Sequence, residues 1–417
     1  MISRVKGTQD FLDLKLFNFT VDQIAAHVSL YNFTPIMTPI IEYTELFQRS
    51  LGLETDVVSK EMFILEAHEA KKGMCLRPEA TASTVRAFIE NKVQDTPWKV
   101  YSWGPMFRYE RPQKGRYRQF FHFNLEVIGA PGPAHDVQLI VMLDRLFAER
   151  FKLDTYALHL NFLGCYDDRA SYKQLLKEFL DAHQAALCTL CQERKEKNIM
   201  RVFDCKNEQC QRLYQDAPEL VDHLCTHCAQ EWAFVQEQLS LLSVSFSYRP
   251  TLVRGLDYYN KTVFEFVSTA LGAQNAFCGG GRYDQLVAQL GGKNDLPCIG
   301  AAIGLERLLL LLEPMQDQLG LLEPPTLYVI MPLAPEQHTV ALLLADELRA
   351  HNYMTELFLE GSIKNMMRKA NQQGAGYALL LGQEEQEKNE VTVKNMRIGT
   401  QERIPQAQLV DYLRSQS

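Results

Sequence analysis

Two β-type runs, Trp98 to Phe107 and Phe120 to Gly129, flank a loop that carries Pro112 and Gly115. Extended runs joined through such a loop read as a hairpin of antiparallel strands. The first run is expected to break at Gly104-Pro105, and the second, FFHFNLEVIG, alternates as a half-buried strand should. Met37 to Ile41 is extended and apolar, and Pro39 points to a strand end or an edge. Val137 to Leu153 repeats apolar residues at i, i+3, i+4 spacing and predicts a helix. With few short βαβ periods, this ordering points to an α+β core, an antiparallel sheet flanked by helices.

Residues 168–240 change character: they are helical, charged and cysteine-bearing, with few strand signals, and read as an insertion. Residues 241–322 return to strand-then-helix style, so residues 1–167 and 241–322 form one split body. Gly320 to Thr326 (GLLEPPT) reads as a linker. Beyond it, residues 325–417 alternate LYVIMPL, a helix through Arg349, TELFLE, a helix, YALLLG and VTVKNM. That alternation fits a small α/β domain with a mostly parallel sheet.

The chain has 417 residues, 46% hydrophobic and 23% charged, so it is too apolar for long-range disorder. At roughly 100–200 residues per domain, two to four domains are expected. A net charge of −8 excludes a wholly basic nucleic-acid-coating protein but leaves local basic patches open. The first nineteen residues hold no apolar segment of signal-peptide length. The apolar stretch Cys298 to Leu312 is interrupted by Glu306 and Arg307 and is shorter than the about 20 residues a membrane span needs. A soluble, cytoplasmic protein is expected, whose ten cysteines serve as thiols or metal ligands.

Five segments carry candidate chemistry. Pro105 to Phe120 holds five basic residues (Arg108, Arg111, Lys114, Arg116, Arg118) against one acid, Glu110. Arginine suits planar, bidentate recognition of phosphate or carboxylate, although charge alone favours a solvated basic hairpin. Glu79 and Thr81 would share one side if extended and could bind an ammonium; alternatively they cap a helix from about Ala82. Leu252 to Tyr259 (LVRGLDYY) offers Arg254 and two tyrosines, or an ordinary turn into a strand. Gly279-Gly280-Gly281 permits a ligand against backbone, or forms a turn. Arg307 opens an apolar helix and needs an anionic partner, whether ligand or salt bridge.

In this order the segments resemble the class II aminoacyl-tRNA synthetases, and within them the histidyl-tRNA synthetase family. FRYERPQKGRYRQF is similar to motif 2, GLERLLLLLE to motif 3 and FTPIMTPIIE to motif 1, with LVRGLDYYNKTVFE and GGGRYDQL as the histidine signatures. Neither of the motifs that mark class I synthetases is present. The resemblance implies activation of L-histidine by ATP with Mg²⁺, then transfer to tRNA(His) by a homodimer joined through motif 1. It implies that Arg108 holds the α-phosphate and the histidine carboxylate, Arg254 the opposite side of that phosphate, Arg307 the γ-phosphate, and that Glu110 lies beside adenine. Glu79 and Thr81 would grip the ammonium, and Glu126, Tyr258 and Tyr259 would surround the imidazole. His122 stands where the family usually has a glutamine that contacts the substrate. Arg111, Gln113, Arg116 and Arg118 would meet the acceptor end of the tRNA, and the C-terminal domain its anticodon. The rival reading is a non-catalytic paralogue acting as a regulatory subunit in histidine biosynthesis.

Cys188-Thr-Leu-Cys191 and Cys225-Thr-His-Cys228 are two CxxC pairs with 33 residues between them. Paired thiolates suit tetrahedral zinc, so a structural Zn²⁺ held by Cys188, Cys191, Cys225 and Cys228 is expected. Cys210 is the substitute ligand and Cys205 is read as a buried thiol.

Overall fold

The computed structural model describes residues 2–416 except 54, 67–72, 273–274, 320 and 322–325. The expected linker therefore lies largely outside the described residues. The chain divides into two compact units, Met1–Leu321 and Leu322–Ser417.

The first unit is built on an eight-stranded sheet. Its order is Thr34–Pro35, Trp98–Phe107, Gln119–Ile128, Cys298–Gly304, Ala276–Arg282, Asn260–Val267, Ala157–Phe162 and Ser247–Tyr248. The six long strands run antiparallel, and the two-residue edge strands pair parallel. Trp98–Phe107 pairs with Gln119–Ile128 along its whole length and passes through Gly104-Pro105 without the expected break. A small residue is needed at Gly104 because the Arg77 guanidinium lies 2.8 Å from where a Cβ would stand.

Alternation along Gln119–Ile128 separates two faces. Phe123, Leu125 and Val127 enter the main core, where they join Phe17, Val21 and Ile24 of helix Lys15–Ser29 and Val137, Ile140 and Leu143 of helix Ala134–Arg145. His122, Asn124 and Glu126 are left on the other face. The helix expected over Val137 to Leu153 begins earlier and gives way to a wider turn at Leu146–Arg150. Met37 to Pro39 pairs with no strand; pairing is confined to Thr34–Pro35 and Ile41–Tyr43.

Residues 168–240 contain helices and no strand. Tyr172, Leu176, Leu180, Val202, Tyr214 and Leu220 form a small core of their own. Trp232, Val235 and Leu239 of helix Thr226–Leu241 instead join the main core, which is why the insertion does not separate as a third unit.

In the second unit the sheet order is Met354–Leu357, Leu327–Pro332, Tyr377–Leu381, Glu390–Asn395 and Gln401–Pro405. Its first three strands are parallel and its last two antiparallel, so the sheet is mixed rather than mostly parallel. The cause is connection length. Helices His338–Ala350 and Ile363–Gln372 fill full crossovers, whereas residues 382–389 are too few for one.

Candidate active site

Three arginines from distant segments meet on the site face of the sheet. Arg108 follows strand Trp98–Phe107; its Nε donates to the Pro78 carbonyl at 3.0 Å and its guanidinium lies 5.4 Å from the Phe120 ring. Arg254 precedes strand Asn260–Val267 and is ion-paired with Glu265 of that strand. Its guanidinium lies 2.7 Å from where a Cβ on Gly279 would be, so this glycine clears room for a cation. The three glycines are part of a strand and not a turn. Arg307 sits in the first turn of helix Leu305–Leu312, with Nε donating to the Gly115 carbonyl at 2.9 Å and Nη1 to the Ala276 carbonyl at 2.6 Å.

Together with Arg116 and His122 these arginines line a cavity of about 190 Å³. Burial, then repulsion from Arg116 and Arg108, pushes Arg307 down to about 10. The nearby acids cancel this field only in part. Glu110 is paired with Arg116 and Glu265 with Arg254, while Glu306 accepts the Phe121 N–H and is pushed up to about 7 by burial. Such a cavity selects anions. His122 faces it with a buried Nδ1 that has no hydrogen-bond partner among the described residues. Burial and the charges of Arg108, Arg307 and Arg254 hold the imidazole well below its usual pKa, so it is neutral.

A buried acid-and-tyrosine cluster adjoins the cations, with the Arg254 guanidinium 5.8 Å from the Tyr259 ring. The Glu79 carboxylate accepts the free N–H groups of Thr81 at 2.6 Å and Ala82 at 3.0 Å, where helix Thr81–Glu90 begins. It caps the helix and is fixed by it, the second of the two arrangements left open by the sequence. Thr81 Oγ1 donates to Glu126 at 2.6 Å, and the Tyr283 hydroxyl donates to the other Glu126 oxygen. Burial, with a smaller push from Glu79, raises Glu126 to about 8. The buried rings of Tyr258 and Tyr259 lie 4.6 Å apart, and Tyr283 meets Tyr258 edge-on at 5.6 Å. Tyr283 and Glu265 are candidate site residues that the sequence did not single out, by their contacts with Glu126 and Arg254. Tyr283 stood inside the GGGRYD run, but its partner Glu126 lies on a strand two places away in the sheet.

The hairpin tip closes through a Gln113–Arg116 bridge, and Arg111 and Gln113 are exposed there. Two of the four expected tip contacts point elsewhere. Arg116 turns into the cavity onto Glu110. Arg118 stacks 3.8 Å over the Tyr109 ring and donates to the carbonyls of Glu110 and Lys6. Both are bound by their own chain in this state.

The expected zinc ligand set is also corrected. Cys188 and Cys191 gather with Cys205 and Cys210, whereas Cys225 and Cys228 gather with Cys165 and Asp168; within each group the ligand atoms lie within 4.8 Å of one another. The two CxxC pairs cap different helices, Thr189–Lys197 and Thr226–Leu241, and each turns its thiols toward its own surroundings. Cys205 is buried, as expected, and belongs to the first group, as does Cys210, the expected substitute.

A family model described as histidyl-tRNA synthetase matches residues 20–308. The chain belongs to the histidyl-tRNA synthetase family. A second model, an anticodon binding domain, matches residues 328–416. A histidine–tRNA ligase of Halothermothrix orenii is 41% identical over 97% of this chain and 97% of its own length. One from Aquifex aeolicus is 41% identical over 98% and 100%. Among solved structures, the apo histidyl-tRNA synthetase of Staphylococcus aureus is 32% identical with a TM-score of 0.81, covering 99% of each chain. An ATP phosphoribosyltransferase regulatory subunit/histidyl-tRNA synthetase from Bacillus halodurans shares the fold at 19% identity and a TM-score of 0.65. As in its family, this synthetase carries its catalytic sheet and anticodon-binding domain on one chain. No helix among the described residues is long and apolar enough to cross a membrane.

Proposed function

We propose that the chain is a histidine–tRNA ligase in which the arginine-lined cavity holds ATP and the acid-and-tyrosine cluster holds L-histidine. In the first step a histidine carboxylate oxygen attacks the α-phosphorus, the bond to the bridging oxygen breaks, and pyrophosphate leaves with its charge. Arg108 and Arg254 flank that phosphorus and stabilise charge there, and Arg307 holds the outer phosphates; positioning and cationic stabilisation dominate such a reaction. Mg²⁺ brought in with the nucleotide would add to the neutralisation of phosphate charge that Arg307 supplies from this chain. In the second step the terminal ribose hydroxyl of tRNA(His) attacks the carbonyl carbon of the adenylate, and AMP leaves. Glu79 and Thr81 meet the ammonium, and Glu126, held by Thr81 and Tyr283, accepts from the imidazole N–H beside Tyr258 and Tyr259. Such polar recognition rejects analogues lacking the group by about 10⁴–10⁵.

The observation that carries this reading is the convergence of Arg108, Arg254 and Arg307 on one cavity beside a buried carboxyl. Arg111 and Gln113 remain as acceptor-end contacts, and Arg116 and Arg118 join only if tRNA draws them from their present partners. A structural zinc on Cys188, Cys191, Cys205 and Cys210 belongs to the same reading. The Sγ atoms of Cys188 and Cys205 are 3.7 Å apart, close to the about 3.8 Å edge of a tetrahedron with 2.3 Å Zn–S bonds. The cytoplasm, where tRNA is charged, is the proposed location. The regulatory-subunit reading is disfavoured because all three arginines and the anticodon-binding unit are present. Arg254→Ala is expected to slow adenylation by about 10²–10³, the range for a lost oxyanion-type donor. Single-turnover adenylate formation at wild-type rate would remove Arg254 from the mechanism.

A further inference from the structure

Beyond the cysteine group inside the insertion, a second group sits at its root. Cys165 follows core strand Ala157–Phe162 and caps helix Tyr166–Ala182, Asp168 lies in the first turn of that helix, and Cys225 and Cys228 begin helix Thr226–Leu241. The three sulfurs and one carboxylate oxygen are all within 4.8 Å of one another, although they come from both ends of the insertion. We propose that Cys165, Asp168, Cys225 and Cys228 bind a second zinc ion that clamps the two ends of the insertion to the catalytic body.

The donor set fits zinc, which takes thiolate and carboxylate ligands at about 2.3 and 2.0–2.2 Å in a tetrahedron. Asp168 is already oriented for the task. One of its oxygens accepts the Cys165 N–H at 3.1 Å and the other the Cys225 N–H at 2.9 Å. A carboxylate oxygen keeps a lone pair after one such bond, and these backbone donors act as the supporting partners that ligands of a metal usually have. The Asp168 N–H in turn points at the Cys165 sulfur at 3.5 Å. His227 lies within the CxxC turn but is exposed and reaches toward Glu231 at 3.4 Å, so it is not a ligand.

The position of the clamp gives it a purpose. Leu163 and Gly164 exchange backbone hydrogen bonds with Lys261, at 2.7 and 3.0 Å, just before Cys165. Arg169, the residue after Asp168, donates to the Tyr259 carbonyl at 2.7 Å. An ion here fixes the start of a helix that holds the Tyr258-Tyr259 segment.

The test is metal content by mass spectrometry on full-length protein purified without chelator. About two zinc ions per chain are expected, falling to about one in the Cys225→Ser/Cys228→Ser variant and to about one in Cys188→Ser/Cys205→Ser. Substitution with Co²⁺ should give thiolate-to-cobalt charge transfer at both sites. A single ion that survives Cys225→Ser/Cys228→Ser overturns the second site. A single ion lost with that variant, but retained in Cys188→Ser/Cys205→Ser, upholds it while overturning the first. Should the variants fail to fold, the wild-type protein decides. Two equivalents, or one whose removal by a chelator exposes Cys165, Cys225 and Cys228 to alkylation, uphold the proposal; one whose removal exposes only the other group, no ion at all, or a Cys225–Cys228 disulfide in the native mass overturns it.

Discussion

His122 places a neutral ring, with one nitrogen unpartnered among the described residues, on the wall of a cavity lined by four arginines. An amide offers a comparable donor and acceptor, so His122→Gln should keep ATP–pyrophosphate exchange within about threefold of wild type. His122→Ala should raise the KM for histidine about 10–100-fold, the equivalent of one hydrogen bond to a charged substrate. An unchanged KM in the alanine variant would assign that contact to another residue. Glu126 carries a different signature. Its carboxyl is raised to about 8 by burial, so across the range between the ordinary carboxyl value and 8 the folded chain binds a proton that the unfolded chain has lost. Wild-type stability must therefore fall as pH rises through that window. Glu126→Gln lacks this slope, and its melting temperature should gain on wild type from about pH 5 to about pH 8. Parallel thermal unfolding curves with a constant offset would contradict the burial argument.

Among the elements, the strand Ala276–Arg282 ends in an ion pair rather than a catalytic group. Arg282 reaches Asp136 through Nη2 at 2.7 Å and Nε at 2.9 Å, and Thr262 donates to the same carboxylate at 2.6 Å, all of them buried. Arg282→Ala leaves that carboxylate without its cation and should cost about 3–5 kcal/mol in urea unfolding; a loss below about 1 kcal/mol would mean that water replaces it. The strands around the site were legible because period-two alternation marks both faces at once. Phe123, Leu125 and Val127 announce the core, and the intervening His122 and Glu126 follow as the site face. What alternation cannot reveal is which distant segment answers each residue. Arg111, Arg116 and Arg118 are alike in local sequence, yet the Glu110 carboxylate draws one inward and the Tyr109 ring and Lys6 carbonyl hold another. Spacing along the chain paired the two CxxC turns, whereas the fold brings each to different partners, one of them an aspartate outside any metal-binding pattern.

At the scale of the whole molecule, the first unit leaves apolar side chains uncovered where motif 1 runs. Met37 is 95% exposed, and Ile40, Ile41 and Tyr43 are also exposed. Patches of this kind mark interaction surfaces, and a second copy of the chain is the proposed occupant. Wild-type protein should sediment as a dimer at micromolar concentration, and Met37→Glu should shift it toward monomer without changing its circular dichroism. A wild-type monomer would contradict this assignment. If this site joins ATP to histidine, amino-acid-dependent ATP–pyrophosphate exchange, run without tRNA against each of the twenty amino acids, reports it. Exchange is expected with histidine and with no other amino acid. Absence of exchange from folded protein supplied with ATP and Mg²⁺ would contradict it and favour the regulatory-subunit reading.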